Sequence, residues 1–156
     1  MIIVEGKRHG GLVRAVIRLP RREVVRETKG KSGVAARLQE AQNSIGLVDE
    51  DPGDIQPAYF RGLTQLGDDP PAYDLRLLRN GVRGNRVVVL CPNLQEWLLR
   101  SASSVKLDLE RYGLPLNLRE LHDELTHHPD KIVPVVRELK AKRSGHMDAL
   151  RKSLRL

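Results

Sequence analysis

An α/β fold, built on a compact and mainly parallel sheet flanked by helices, is predicted by three features of this 156-residue sequence. Short apolar runs at 2–5, 23–27 and 45–48 alternate with segments of helical spacing. Two of those runs end in acids. Beyond Lys106 every remaining pattern is helical. The expected organisation is an α/β domain over 1–105 and a C-terminal helical extension over 106–156 packed on it.

The first run, IIVE at 2–5, has no polar side chain before Glu5 and reads as a buried strand. Gly6, Gly10 and Gly11 mark its exit loop, which contains His9. Leu12, Val13, Val16, Ile17 and Leu19 then recur at helical spacing until Pro20 ends the helix. EVVRE at 23–27 is a second short strand. Ser32 is positioned to cap a helix whose apolar face is Val34, Leu38 and Ala41. IGLV at 45–48 completes a β-α-β-α-β series, which implies a parallel sheet.

Pro52 and Gly53 force a turn. Tyr59, Phe60, Leu63 and Leu66 fit a short amphipathic helix, and GDDPP at 67–71 a loop. YDLRLLRN and NRVVVL flank GVRG as the arms of a hairpin. Asn93, with Glu96 three residues on, has the pattern of a capping box. It starts a helix carrying Leu94, Trp97 and Leu98 on one face. Asn117 with Glu120, Asp130 and Ser144 begin three more helices.

Aromatics make up only 3% of the chain, so the core must be aliphatic. A single cysteine, Cys91, excludes an internal disulfide and a cysteine-based zinc cluster, and after VVVL it reads as a small buried residue. MIIVEG is too short for a signal peptide or a membrane span, and no other apolar run is long enough. A cytoplasmic protein with no membrane partner is expected. No Ser-His-Asp arrangement, phosphate-binding Walker loop or dinucleotide fingerprint is present.

The run IGLV leads into Asp49, Glu50 and Asp51. In a parallel sheet the carboxyl ends of the strands form the ligand-binding edge. On an extended chain Asp49 and Asp51 point the same way and Glu50 points elsewhere. Glu5 ends the first strand at the same edge. Carboxylates brought that close repel one another unless a cation intervenes, and hard oxygens suit Mg²⁺ or Mn²⁺. Asp49 and Asp51 also fit plain turn positions before Pro52. Accessory groups are His9, Asp54 and Glu96; Glu96 also has a capping role at its helix start. His127 and His128 suit a helix C-terminus and lack the partners of a zinc site.

IIVEGKRH resembles the first motif of the Toprim superfamily, an apolar strand ending in Glu-Gly. IGLVDEDPG resembles the second, an apolar strand ending in Asp-x-Asp. CPNLQEWLLRSA is similar to a segment of small stand-alone Toprim-like proteins of prokaryotes. The superfamily includes topoisomerase and primase catalytic domains, OLD-type nucleases and ribonucleases that mature ribosomal RNA. The resemblance covers about residues 1–105. It implies an acid/base or metal-associated role for Glu5 and a Mg²⁺ pair at Asp49 and Asp51. His9 departs from it, standing where many relatives carry Asp. Tyr59, Tyr73 and Tyr112 have no motif context, so strand passage through a nucleophilic tyrosine is not expected.

The net charge of +7 is unevenly placed. Residues 18–37 carry a net of +5, and 131–156 a net of +6, leaving the rest at −4. Such segments attract a polyanion while a local cation site persists between them; they are equally the pattern of a solvated, Arg-rich surface. Lys7, Arg18, Arg21, Arg22, Arg26, Lys29 and Lys31 are the residues expected to hold a nucleic-acid backbone. The function these features predict is Mg²⁺- or Mn²⁺-dependent phosphodiester chemistry on DNA or RNA, of nuclease type. The other reading is a non-catalytic module binding nucleic acid or a protein partner, such as an ATPase or helicase.

Overall fold

The structure is a computed structural model. It describes residues 1–155, with the side chain of Arg21 outside the described set. The order is β1 (Ile2–Val4), α1 (Lys7–Val16), β2 (Val24–Arg26), α2 (Gly30–Glu40), β3 (Ile45–Asp49), α3 (Ala58–Arg61) and β4 (Thr64–Leu66). Then come β5 (Leu75–Asn80), β6 (Asn85–Leu90), α4 (Leu94–Ser104), α5 (Leu118–His127), α6 (Ile132–Ala141) and α7 (Gly145–Ser153). The six strands form one sheet in the order β2-β1-β3-β6-β5-β4. The first four are parallel, and β5 and β4 are antiparallel additions at one side. No helix among the described residues is long and apolar enough to cross a membrane.

From β1 the chain steps one way to β2, then back across β1 to β3. Crossovers made in opposite directions place their helices on opposite faces. Accordingly α1 packs on the face of Ile2, Val4, Ile45, Leu47, Val88 and Leu90. The α2 helix packs on the other face, with Ile3, Val48, Val87 and Val89. The reversal of direction also makes a crevice outside the carboxyl ends of β1 and β3. The C-terminal helices α5, α6 and α7 share their core with α1 and α4, through Leu121, Val135, Leu139 and Leu150 among others.

Local signals placed several elements well. Asn93, Asn117 and Ser144 each accept the amide proton three residues on, as caps of α4, α5 and α7. The β5–β6 hairpin forms as expected.

Elsewhere the structure differs. Gly10 and Gly11 lie inside α1, so His9 is helical and not in a loop. A Cβ on Gly11 would sit 3.2 Å from the Pro129 carbonyl oxygen, so this glycine permits close packing. The helix ends at Val16, before Leu19, where Ile17 turns extended and Lys140 Nζ donates to the Val16 and Ala15 carbonyls. In α2, Gly30 opens the helix at φ +62°, and Ser32 sits within the first turn. The helix expected through Leu66 stops at Arg61. Thr64–Leu66 instead pairs with Leu77–Arg79, because β5 offers an unpaired edge. Asp130 lies in a 3-10 turn ahead of α6.

Asn85 is fully buried where β6 starts. Its Oδ1 accepts from Ser44 N at 3.0 Å, and its Nδ2 donates to the Leu38 and Ala41 carbonyls at 2.8 and 3.0 Å. This side chain ties the end of α2 to the start of β3. Asn85→Leu leaves those backbone groups unpaired and should destabilise the fold by about 2–4 kcal/mol. Urea unfolding measures this; a loss below about 0.5 kcal/mol would contradict it.

Candidate metal centre

Glu5 follows the last residue of β1, and Asp49 is the last residue of β3, so strand pairing sets both at the crevice between β1 and β3. The Asp49 amide donates to Glu5 Oε2 at 2.9 Å. Along β3, Asp49 shares its face with Ile45 and Leu47, the face that α1 covers. There His9, four residues beyond Glu5, donates from Nε2 to Asp49 Oδ1 at 2.8 Å and lies 3.7 Å from Glu5 Oε2. Asp49 is 4% exposed and His9 2%, so each would be costly to bury without the other.

Glu5, His9 and Asp49 each offer a ligand atom, and these atoms all lie within 4.8 Å of one another. Burial pushes the Glu5 carboxyl above the ordinary glutamate range. His9 and the Asp49 amide oppose that rise, and the charges of Asp49 and Asp51 add to it. Two carboxylate oxygens and one imidazole nitrogen fit a single divalent ion. The nitrogen favours Mn²⁺ over Mg²⁺, which takes oxygen ligands almost alone.

Asp51 stands apart from this cluster. Its φ of +47° breaks the extended alternation on which its pairing with Asp49 was expected. Its amide donates to Pro92 O at 2.9 Å, and its carboxylate lies 3.6 Å from Lys31 Nζ. It remains close enough to feel the acids: burial and then Asp49 push its carboxyl upward. Asp54 is exposed in the same turn, its amide donating to Asp51 O. Glu50 faces the opposite side of the sheet, 3.5 Å from Arg76. Beside it the Cys91 thiol is pushed up to about 11 by burial and by Glu50, so it carries no thiolate at neutral pH. The Glu96 amide donates to the cap Asn93 at the start of α4, and its carboxylate meets Arg100 at 3.5 Å; Glu96 is not part of the ligand group.

The residues expected to bind nucleic acid divide between two edges of the sheet. Arg26, at the end of β2, pairs in register with Val4 and lies at the same edge as Glu5. Lys7 and Lys29 are exposed at that edge too. Lys31 is there but only 10% exposed; it donates to Glu50 O at 2.9 Å and Gln56 Oε1 at 3.2 Å, which fixes the acidic turn. Arg18 and Arg22 are exposed at the far edge, past the end of α1 and before β2. Arg21 lies in the 3-10 turn beside Arg22, and its side chain is outside the described residues.

Sequence reasoning ranked His9 as accessory, yet it is the partner of Asp49. Its spacing of four from Glu5 was the available signal, since helical i,i+4 residues share a face. No family model matches the chain, nor does any curated protein or solved structure.

Glu5→Gln keeps an oxygen for the Asp49 amide and removes a buried charge. Because the Glu5 pKa is raised, the native state holds its proton more tightly than the unfolded chain does. The charge therefore destabilises as pH rises through the raised value. In EDTA, the variant should melt above wild type at about pH 8, and the gain should vanish by about pH 4, below both pKa values. Thermal melts across that range measure it, and a variant melting lower at the alkaline end refutes it.

Proposed function

We propose that the chain is a divalent-metal-dependent phosphodiesterase of Toprim-like kind, acting on the backbone of DNA or RNA. The observation that carries this reading is the meeting of Glu5, His9 and Asp49 at the sheet's switch point, beside the first turns of α1 and α4. Glu5 and Asp49 would hold a Mn²⁺ or Mg²⁺ ion through oxygen, with His9 as the third donor. A bound ion there supplies Lewis-acid charge for a phosphoryl oxygen and acidifies water.

The chain's own residues contribute the rest. Glu5 keeps one oxygen on the Asp49 amide. Burial holds the Glu5 carboxyl above its ordinary range in the ion-free protein, the direction expected of a group that exchanges a proton. Before an ion binds, the His9 hydrogen bond fixes the rotamer of Asp49; with the ion present, Nε2 would give up that proton to become the third donor. Lys31 holds the turn that keeps Asp51 nearby as additional negative charge. Lys7, Lys29 and Arg26 at the same edge offer cations for flanking phosphates.

One observation favours the second reading, a binder that does not cut. The 2.8 Å hydrogen bond from His9 to Asp49 satisfies that carboxylate without an ion. In that case the module engages nucleic acid, or a protein partner such as an ATPase or helicase, through its charged edges alone.

Incubation of the purified protein with labelled single- and double-stranded DNA and RNA separates the two. Cleavage should require divalent ions, proceed faster in Mn²⁺ than in Mg²⁺, and stop in EDTA. Asp49→Asn should abolish it, and Glu5→Gln should slow it by roughly 10²–10⁴-fold, the range for losing a general acid–base group. Binding without cleavage in either metal establishes the second reading.

A further inference from the structure

The two basic segments, far apart in sequence, meet in space. Lys140 of α6 reaches the end of α1, donating to Val16 O at 2.7 Å. Around it lies a groove of about 380 Å³ between α1 and α6, lined by Gly11, Arg14, Arg18, Arg137 and Lys140, with Asp130 as its acid. A second cavity of about 410 Å³ adjoins it across Lys140 and carries Arg143, from the turn between α6 and α7, and Arg151, from the last turn of α7. Among the described residues, no carboxylate lies within ion-pair distance of Arg14, Arg18, Arg137 or Arg143. Arg151 shares Asp148 with Lys152.

Like charges so gathered oppose one another. Burial, then Arg151, then Arg18 hold the Lys140 amine below its ordinary range. A fold keeps such a cluster at a cost that a bound polyanion would relieve. Arg14 also shows a direction. Its guanidinium lies back along α1 over Gly10, where a Cβ would sit 3.1 Å from Nη1. It therefore points toward the helix start, where Lys7 is exposed and the Glu5–His9–Asp49 cluster begins. Along α1 the groove begins at Gly11, two residues past His9, and runs to Arg18 beyond the helix end.

We infer that the α1–α6 groove binds the sugar–phosphate backbone of duplex nucleic acid and leads it along α1 toward the acidic cluster. The direction of that path rests on the proposed phosphodiesterase reading; the groove's affinity for the backbone does not. The duplex follows from what the groove lacks. No aromatic side chain lines it, and binding of single strands depends on aromatic stacking platforms. Charge without stacking fits bases that are already stacked on each other, and backbone contacts of this kind release counterions.

Fluorescence anisotropy in EDTA with labelled 20-mers tests this, using single strands and duplexes of DNA and of RNA over a salt series. Wild type should bind duplex more tightly than single strand of the same length, with affinity falling steeply as salt rises. Arg18→Gln with Arg137→Gln should weaken duplex binding roughly ten-fold or more and reduce the log–log salt slope by about two. Arg79→Gln with Arg83→Gln, on the exposed β5–β6 hairpin, should leave both unchanged, and circular dichroism checks that all variants fold. Salt-independent binding by wild type, tighter binding of single strands, or an unaltered slope in the groove variant overturns the inference. The DNA and RNA arms identify which duplex is held. Cleavage assayed separately keeps the two proposals apart. Groove-dependent binding with no cleavage in any metal removes the phosphodiesterase and leaves the groove. Cleavage with a groove variant that binds as wild type removes the groove alone.

Discussion

The buried carboxylate of Asp49 is the constraint on which the rest of the molecule turns. A carboxylate 4% exposed is tolerable only when its charge and lone pairs are met. Here they are met by His9, 40 residues away in sequence, while the Asp49 amide reaches Glu5. The end of β1, the first turn of α1 and the end of β3 are therefore one hydrogen-bonded unit. That unit requires β1 and β3 to be neighbours, and α1 to start directly after Glu5 with its buried face over β3. The strand order and the α1 crossover supply both conditions.

Three consecutive acids end up in three environments, and pleat and turn geometry together account for this. Asp49 takes the α1 face with Ile45 and Leu47. Glu50, one residue on, takes the opposite face and meets Arg76. A third step of extended chain would have returned Asp51 to the first face. The left-handed conformation at Asp51 interrupts that step, and Lys31 and Gln56 hold the interruption by bonding the Glu50 carbonyl. Acids that would repel one another if stacked along an edge are thus separated, one paired with histidine, one near arginine and one near lysine.

What the sequence disclosed, and what it withheld, follows the range of the forces involved. The strands at 2–5 and 45–48, the hairpin, and the caps at Asn93, Asn117 and Ser144 rest on neighbours within a few residues, and all were legible. So was the placing of Glu5 and Asp49 at one sheet edge. Gly10 and Gly11 misled because glycine marks a turn as readily as a close approach, and only the position of Pro129 decides which. Leu66 belongs to a strand because a distant edge was open to it. The seven cations grouped by composition separate because a β-α-β crossover carries the chain from one edge of the sheet to the other. Arg18 and Arg22 remain at one end, and Arg26 and Lys29 arrive at the other.

That separation bears on how an acidic centre can coexist with an excess of positive charge. Glu5, Asp49 and Asp51 repel a phosphate backbone, so attraction has to come from the cations around and beyond them. Some cations set among the acids are consumed by them: Lys31 is bound to the acidic turn, and Arg76 lies against Glu50 and Asp69, while Lys7, Arg26 and Lys29 stay exposed at that edge. Cations held at the far end of α1 escape this fate. Arg14, Arg18 and Arg137 have no carboxylate within ion-pair distance among the described residues, although Asp130 shares their groove, and Lys140 is engaged by helix-terminal carbonyls instead. The groove begins at Gly11, two residues past the His9 that fixes the acids, so the two charge clusters share one helix. A polyanion long enough to span α1 could meet both, attracted at one end and presented to the carboxylates at the other. Helix α1 is then the ruler between them, with His9 on its buried face fixing the acids and Arg14 on its exposed face extending the basic surface back toward them.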